Sequence, residues 1–301
     1  MNALRVYQVD AFTTQRYQGN SAGVVANAAG LGDQAMLEIA RELNNSETAF
    51  ILPARGGDHD VHVRFFTPTT EVPVCGHATV AAHYVMALEG RPPGICRQLT
   101  GAGIQRITVS AQDDDFLVRI EQNRPTFESP LDETQVAPLL AALGLERGDL
   151  DPRCPVQFVS TGHGKVMVGV RDRSALQALA PDFRELAAVS GAIGKPGFFV
   201  FTLDTPSDDP ALTWGRMFAP AIGINEDPVT GNANGPLGAY LVKHALIAMH
   251  GDAARFRARQ TAANGRSGWM DVTVDAEKGA PIGVVIEGRA VLCFSTTLPR
   301  D

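Results

Sequence analysis

The chain lacks the features that mark several large classes of protein. It has no basic run: 26 Lys and Arg are scattered among 33 Asp and Glu, for a formal net charge of -7. Neutralising phosphates needs clustered cations, so no nucleic-acid partner is expected. No apolar stretch reaches the roughly 18 residues of a membrane span. The opening residues, Met1 to Val6, lead straight into a strand pattern without the layout of a secretory signal. A cytosolic protein with no membrane partner is therefore the expectation. Cysteine is scarce, with Cys75, Cys96, Cys154 and Cys293 and no Cys-x-x-Cys pair. That excludes a disulfide scaffold and makes each cysteine a buried, reduced small residue in expectation. Cofactor signatures are missing too. Gly101-Ala102-Gly103 does not continue into a dinucleotide fingerprint, and there is no Walker loop. His59-Asp60-Val61-His62 has a spacing that could suggest a metal pair, but His59 falls in a Gly/Asp turn and His62 on a strand. Neither a metal nor an organic cofactor is expected.

What is present is a long, moderately apolar chain with an internal repeat. Its 301 residues, 45% hydrophobic, suffice for two α/β domains. A strand over 63–68 ends at Pro68 and is followed by Glu71, then Cys75-Gly76-His77, then a helix over 78–88. A strand over 215–220 ends at Pro220 and is followed by Glu226-Asp227, then Thr230-Gly231-Asn232, then a helix over 236–248. The second copy has three extra residues between its proline and its glycine.

The flanking patterns keep the same order. Strands over 5–12 and 23–26, a helix over 33–43 and a strand over 48–52 lead into the first copy. Strands over 156–160 and 165–170, a helix over 174–188 with Pro181 as a break point, and a strand over 197–202 lead into the second. Asp33 and Ser174 read as helix starts. Further strands are expected over 106–109 and 116–121 in the first half, and over 255–260 and 270–274 in the second. The proline-rich segment 124–153, with a short helix over 134–143, reads as the crossing between halves. The division drawn is 1–125 and 126–287, with the last strand, in 288–301, a candidate to complete the first half.

Each copy sets a glycine turn at the start of a helix. Exposed backbone N–H groups and the helix dipole make such a start a place for an anion. Two starts facing across a cleft would grip one carboxylate and stabilise charge developing beside it during proton abstraction.

The motifs Val9-Asp10-Ala11-Phe12-Thr13, Gly19-Asn20 with Gly23-Val24, Asn45 to Phe50, Phe66-Thr67-Pro68 to His77, and Asp227 to Ala233 together resemble the phenazine-biosynthesis PhzF-like family. The resemblance spans essentially the whole chain. It implies a diaminopimelate epimerase-like fold of two pseudo-symmetric halves, each a sheet wrapped around a central helix. It implies a homodimer and a cofactor-independent isomerase of the kind that acts on trans-2,3-dihydro-3-hydroxyanthranilate. In that chemistry one glutamate carries the proton, and the matching residue is Glu47, with His77 and Asp227 completing the catalytic set. Gly76, Gly231 and Asn232 match the carboxylate-binding turns. The family's isomerase has serine where this chain has Asn232, a departure that bears on the substrate.

Cys75, Thr230 and Asn20 are secondary candidates. In related epimerases a cysteine precedes the glycine of each half, whereas here the second position is Thr230, a far weaker base. An epimerase, or a dehydratase using Cys75 and Thr230, is the first alternative; a catalytically silent small-molecule binding protein is the second. Glu47 has no acidic counterpart in the second half, where Lys195-Pro196-Gly197 precedes the strand. One base suits a proton shift better than an inversion. His83, His163, His244 and His250 lack supporting motifs and are assigned to structure or surface.

Overall fold

The computed structural model describes residues Ala3–Arg300. The chain divides into two compact units, one running to Glu121 and resuming at Glu287, the other Gln122–Ile286. The first contains β1 (Leu4–Ala11), β2 (Asn20–Val25), α1 (Asp33–Leu43), β3 (Glu47–Pro53), β4 (Val61–Phe66), β5 (Glu71–Val72), α2 (Gly76–Leu88), β6 (Gly94–Thr100), β7 (Gly103–Gln112) and β8 (Asp115–Gln122). The second contains β9 (Thr126–Pro130), α3 (Glu133–Leu143), β10 (Gln157–Ser160), β11 (Lys165–Val170), α4 (Arg173–Ala178), α5 (Phe183–Ile193), β12 (Phe198–Thr202), β13 (Thr213–Ala219), β14 (Ile224–Asp227), α6 (Gly231–Lys243), β15 (Ala253–Thr261), β16 (Ser267–Glu277) and β17 (Ala280–Gly288). The last strand, β18 (Ala290–Leu298), lies antiparallel on β1.

The strand pairings carry the repeat. In the first unit β1 is antiparallel to β2, β2 parallel to β3, β3 antiparallel to β4, β4 parallel to β6, and β6 antiparallel to β7. The second unit runs the same series: β10 antiparallel to β11, β11 parallel to β12, β12 antiparallel to β13, β13 parallel to β15, and β15 antiparallel to β16. The short strands β5 and β14 dock antiparallel on β4 and β13, each just before a helix. Pairings of one sense in one order are a stronger sign of duplication than the strand–helix order of any α/β chain.

The helices that follow, α2 and α6, are apolar on every side. Every residue of α2 from His77 to Ala87 is buried, which is what an all-round apolar helix requires. In the second unit β11 and β12 are buried on both faces, so their sequences are continuous apolar runs rather than alternating ones. Val166, Val168, Val170, Phe198 and Val200 pack under α3 and α5, while Phe201 meets Tyr240 of α6 edge-on. In the first unit α1 covers the other face, with Met36 and Ala40 packed on Phe50, Val25 and Leu4. No helix among the described residues is long and apolar enough to cross a membrane.

Several sequence expectations need correction. The helix expected over 174–188 is two helices, α4 and α5. Pro181 lies between them, and the Asp182 side chain caps α5 by accepting from the backbone N–H groups of Arg184 and Glu185. Asp172, not Ser174, is the cap residue of α4. The helix expected over 236–248 starts at Gly231 and stops at Lys243, where Ala245 turns left-handed (φ 52°). Its first turn, Gly-Asn-Ala-Asn-Gly, is poor in helix formers, and burial overrides that propensity. The strands β6 and β9 were not expected. β9 falls in the proline-rich segment read as a crossing and pairs with β10. Cys293 is only half-buried and donates from Sγ to Asp10 Oδ2 at 2.8 Å, unlike the other three buried thiols.

Gly238 of α6 marks how closely helix and sheet approach. A Cβ there would lie 2.7 Å from Val272 Cγ1 and 2.9 Å from Val274 Cγ2. Gly238→Ala gains about 1 kcal/mol of helix propensity but forces those valines apart. The expected net effect is destabilisation by about 1–3 kcal/mol, read by urea unfolding. A variant as stable as the parent would mean that the sheet yields freely.

Candidate active site

The first unit gathers five of its polar residues at one end of α2. The chain leaves α1 through Asn44, whose left-handed backbone (φ 51°) closes the helix, and enters β3 at Glu47. Parallel pairing of β2 with β3 sets Glu47 opposite Ala22, two residues into the strand that begins at Asn20. The link from β5 then delivers Cys75 as the cap residue of α2 and His77 as its second residue. The His77 ring joins the group. Its Nε2 lies 3.4 Å from Glu47 Oε2 and 3.3 Å from Ser46 Oγ. Its Nδ1 lies 3.3 Å from Asn20 Nδ2 and 3.4 Å from Cys75 Sγ. With the Asn20 amide donating to Nδ1, a neutral imidazole carries its proton on Nε2, towards Glu47.

The side chains of Glu47 and His77 are only 13% and 7% exposed. Burial raises the Glu47 carboxyl above the ordinary glutamate range, outweighing the hydrogen bonds from Ser46 and Cys75 that pull the other way. A carboxylate raised in this way can take a proton from carbon and give it back.

The second unit builds its group around Asp227, the last residue of β14. Thr230, the cap residue of α6, donates from Oγ1 to Asp227 Oδ2. The Gln260 side chain from β15 ties the turn together. Its Nε2 donates to Asp227 O at 2.7 Å and to Thr230 Oγ1 at 3.1 Å, while its Oε1 accepts from Thr230 N at 2.9 Å. Asn234, one turn into α6, donates to Thr230 O and Gln260 Oε1, both at 3.0 Å. Lys165, at the head of β11, is also buried. Its ammonium is pushed down to about 8 by burial, against the opposing pull of the Asp227 charge.

Neither cap residue bonds a backbone N–H of its own helix through its side chain. Cys75 turns to His77 and Thr230 to Asp227, and both have extended backbones. Gly76 and Gly231 are the first helical residues, the positions whose N–H groups have no partner within a helix. Asn232 is the second residue of α6 and stays partly exposed.

The structure thus gathers Asn20, Glu47, Cys75 and His77 in one unit and Asp227 with Thr230 in the other. Ser46, Gln260, Asn234 and Lys165 were not singled out in the sequence. Two had a legible signal. Lys165 is the lone charge at the head of the run Val-Met-Val-Gly-Val, and Gln260 keeps the inward phase of Ala254, Phe256 and Ala258. His83 is buried and bonded to Gln98, and His244 is bonded to Gln157. His59 has both ring nitrogens engaged, by Asp58 and by the Arg55 backbone.

Glu47, Cys75 and His77 each offer a metal-ligand atom, and these atoms lie within 4.8 Å of one another. The sulfur sits nearer Nδ1 (3.4 Å) than Nε2 (4.0 Å), whereas the carboxylate lies at Nε2.

The raised Glu47 carboxyl has a consequence for stability. Folding favours its neutral form, so its contribution is fully present below the ordinary glutamate range and is lost as pH rises through the raised value. Glu47→Gln stays neutral throughout. It is expected to melt above the parent near pH 8 and to lose that advantage near pH 4, as read by thermal unfolding. A variant melting below the parent near pH 8 would show that its partners stabilise the carboxylate.

Comparison with known proteins places these features. A family model described as phenazine biosynthesis-like protein matches residues 9–296. An uncharacterized isomerase of Clostridium acetobutylicum is 48% identical over 97% of both chains. The trans-2,3-dihydro-3-hydroxyanthranilate isomerase of Pseudomonas aeruginosa is 32% identical over 81% of both. The crystal structure of a PhzF-family phenazine biosynthesis protein from Bacillus anthracis superposes with a TM-score of 0.89 at 28% identity, covering all of both chains. The chain therefore belongs to the phenazine biosynthesis-like PhzF family, with its diaminopimelate epimerase-like fold.

Proposed function

We propose that the protein is an isomerase that moves a proton between two carbons of a small carboxylate substrate, without a metal or an organic cofactor. The observation that carries this reading is the buried Glu47 carboxyl, raised by desolvation and 3.4 Å from His77 Nε2. Glu47 takes the proton from one carbon, and the electron pair left behind spreads into the substrate. The backbone N–H groups at the start of α2, Gly76 first among them, hold the substrate carboxylate and stabilise that charge. Glu47 then returns the proton to the second carbon. His77 orients the Glu47 carboxylate. The substrate class is a cyclic or β,γ-unsaturated amino acid, a class suggested by the substrate for which the Pseudomonas aeruginosa relative is named.

A second reading has one observation in its favour. Cys75 Sγ lies 3.4 Å from His77 Nδ1, a partner able to take the thiol proton. A dehydratase or epimerase would use that thiolate as its base. Against it, the matching Thr230 hydroxyl is committed to Asp227 and is a weak base.

Solvent deuterium separates the two. Candidate cyclic and β,γ-unsaturated amino acids are incubated in D₂O, and incorporation at carbon is followed by NMR. Glu47→Gln is expected to slow incorporation by about 10²–10⁴-fold, Cys75→Ser to retain most of it, and exhaustive chelation to leave it unchanged. Incorporation that survives in Glu47→Gln and vanishes in Cys75→Ser would replace this reading with the thiol one.

A further inference from the structure

Among the described residues, Glu47, Cys75 and His77 bring three metal-binding atoms, one from each side chain, within 4.8 Å of one another. The turn into α2 makes this meeting possible. Residues two apart on a helix do not face each other, but Cys75 lies just outside the helix with an extended backbone (φ -146°, ψ 122°). Its sulfur therefore reaches the His77 ring, 3.4 Å from Nδ1 and 4.0 Å from Nε2, and the thiol also hydrogen-bonds Glu47. From the head of β3, Glu47 Oε2 approaches Nε2 to 3.4 Å.

The donor set is that of zinc. Thiolate, imidazole and carboxylate together suit a borderline-soft divalent cation, whereas magnesium and calcium want oxygen alone. Zinc bonds of about 2.0 Å to nitrogen and oxygen and about 2.3 Å to sulfur, at tetrahedral angles, set neighbouring ligand atoms about 3.3–3.6 Å apart. The carboxylate already stands at that separation from Nε2, and the sulfur, at 4.0 Å, comes within it by a small torsional adjustment of Cys75 or His77. Three protein ligands leave a fourth position open, as at zinc sites that keep a water. An outer partner is in place as well. An imidazole bound through Nε2 carries its proton on Nδ1, and the Asn20 amide, 3.3 Å from Nδ1, accepts it when turned to present Oδ1.

We propose that Glu47, Cys75 and His77 form an inhibitory site for zinc. Binding joins the ion to Glu47 Oε2, Cys75 Sγ and His77 Nε2. It sends the thiol proton to solvent and moves the imidazole proton from Nε2 to Nδ1. The carboxylate lone pair that takes a proton from carbon is then held by the ion, so isomerisation stops for as long as the ion stays. The inhibitory effect rests on the reading of Glu47 as the proton carrier; the coordination rests on the three side chains alone.

Cobalt(II), a coloured substitute for zinc, tests the site. Added to chelator-treated protein, it is expected to give a thiolate-to-cobalt charge-transfer band in the near ultraviolet and the strong visible bands of a four-coordinate ion, all abolished by zinc. The charge-transfer band should vanish in Cys75→Ser and persist in Cys293→Ser, which removes the half-buried thiol. Glu47→Gln, with a thermal melt confirming that it is folded, loses one ligand and should bind cobalt at least about tenfold more weakly, the least that loss of an outer partner costs. No band in the parent, a band that survives in Cys75→Ser, or equal cobalt affinity in parent and Glu47→Gln overturns the site. Zinc is then added to the deuterium-exchange assay, where it should abolish exchange by the parent, with EDTA restoring it. Exchange that continues at a zinc concentration sufficient to displace all the cobalt overturns the inhibitory role. A parent that exchanges no deuterium before zinc is added would count against the isomerase reading, while the cobalt spectra would still decide the site.

Discussion

A helix surrounded by apolar side chains has little but its ends to offer a ligand, and that constraint organises each half of this protein. α2 and α6 are buried along almost their whole length, so their sides do packing and the polar groups gather at their first turns. Each start follows a two- to four-residue strand docked on the sheet, which fixes where the first N–H groups lie. The cap residues reinforce the arrangement, because Cys75 and Thr230 give their side chains to the His77 ring and the Asp227 carboxylate rather than to the backbone N–H groups of the helix start.

The two halves apply this constraint differently. The first sets its titratable group on β3, where desolvation dominates and the carboxyl rises. The second leaves that position as Gly197 and presents Lys165 from the adjoining strand, where desolvation pushes an ammonium down. Burial of opposite charge types drives both groups from their usual ranges towards neutrality. Duplication supplied one scaffold twice, and divergence of the residues facing the helix start made the halves chemically unequal.

Holding these groups out of water costs stability. An apolar residue or an amide at position 47 would relieve it, and the close helix–sheet approach at Gly238 leaves little slack elsewhere. Sites that keep a partly destabilised acid in a rigid frame commonly trade stability for activity in this way.

Much of the architecture was legible in the residues alone. Apolar periodicity located α1 and the sheet strands around it, and the recurrence of strand, proline, acid, glycine and helix exposed the duplication. Glu47 and His77 could be named because the motifs that hold them resemble those of the PhzF-like family, and Cys75 because it precedes the glycine of the first helix start. Other features could not be read. The first turn of α6 is glycine- and asparagine-rich, and only packing makes it helical. β9 is short and proline-flanked, and only its pairing with β10 defines it. The partnership of Gln260 with Asp227 and Thr230 joins residues about thirty positions apart through strand register. Lys165 and Gly197 meet only when β11 and β12 lie side by side. Sequence by itself determined which residues prefer strand, helix and turn, since those preferences are local. Tertiary structure alone decided which polar groups share a desolvated space, because desolvation depends on neighbours brought from far along the chain.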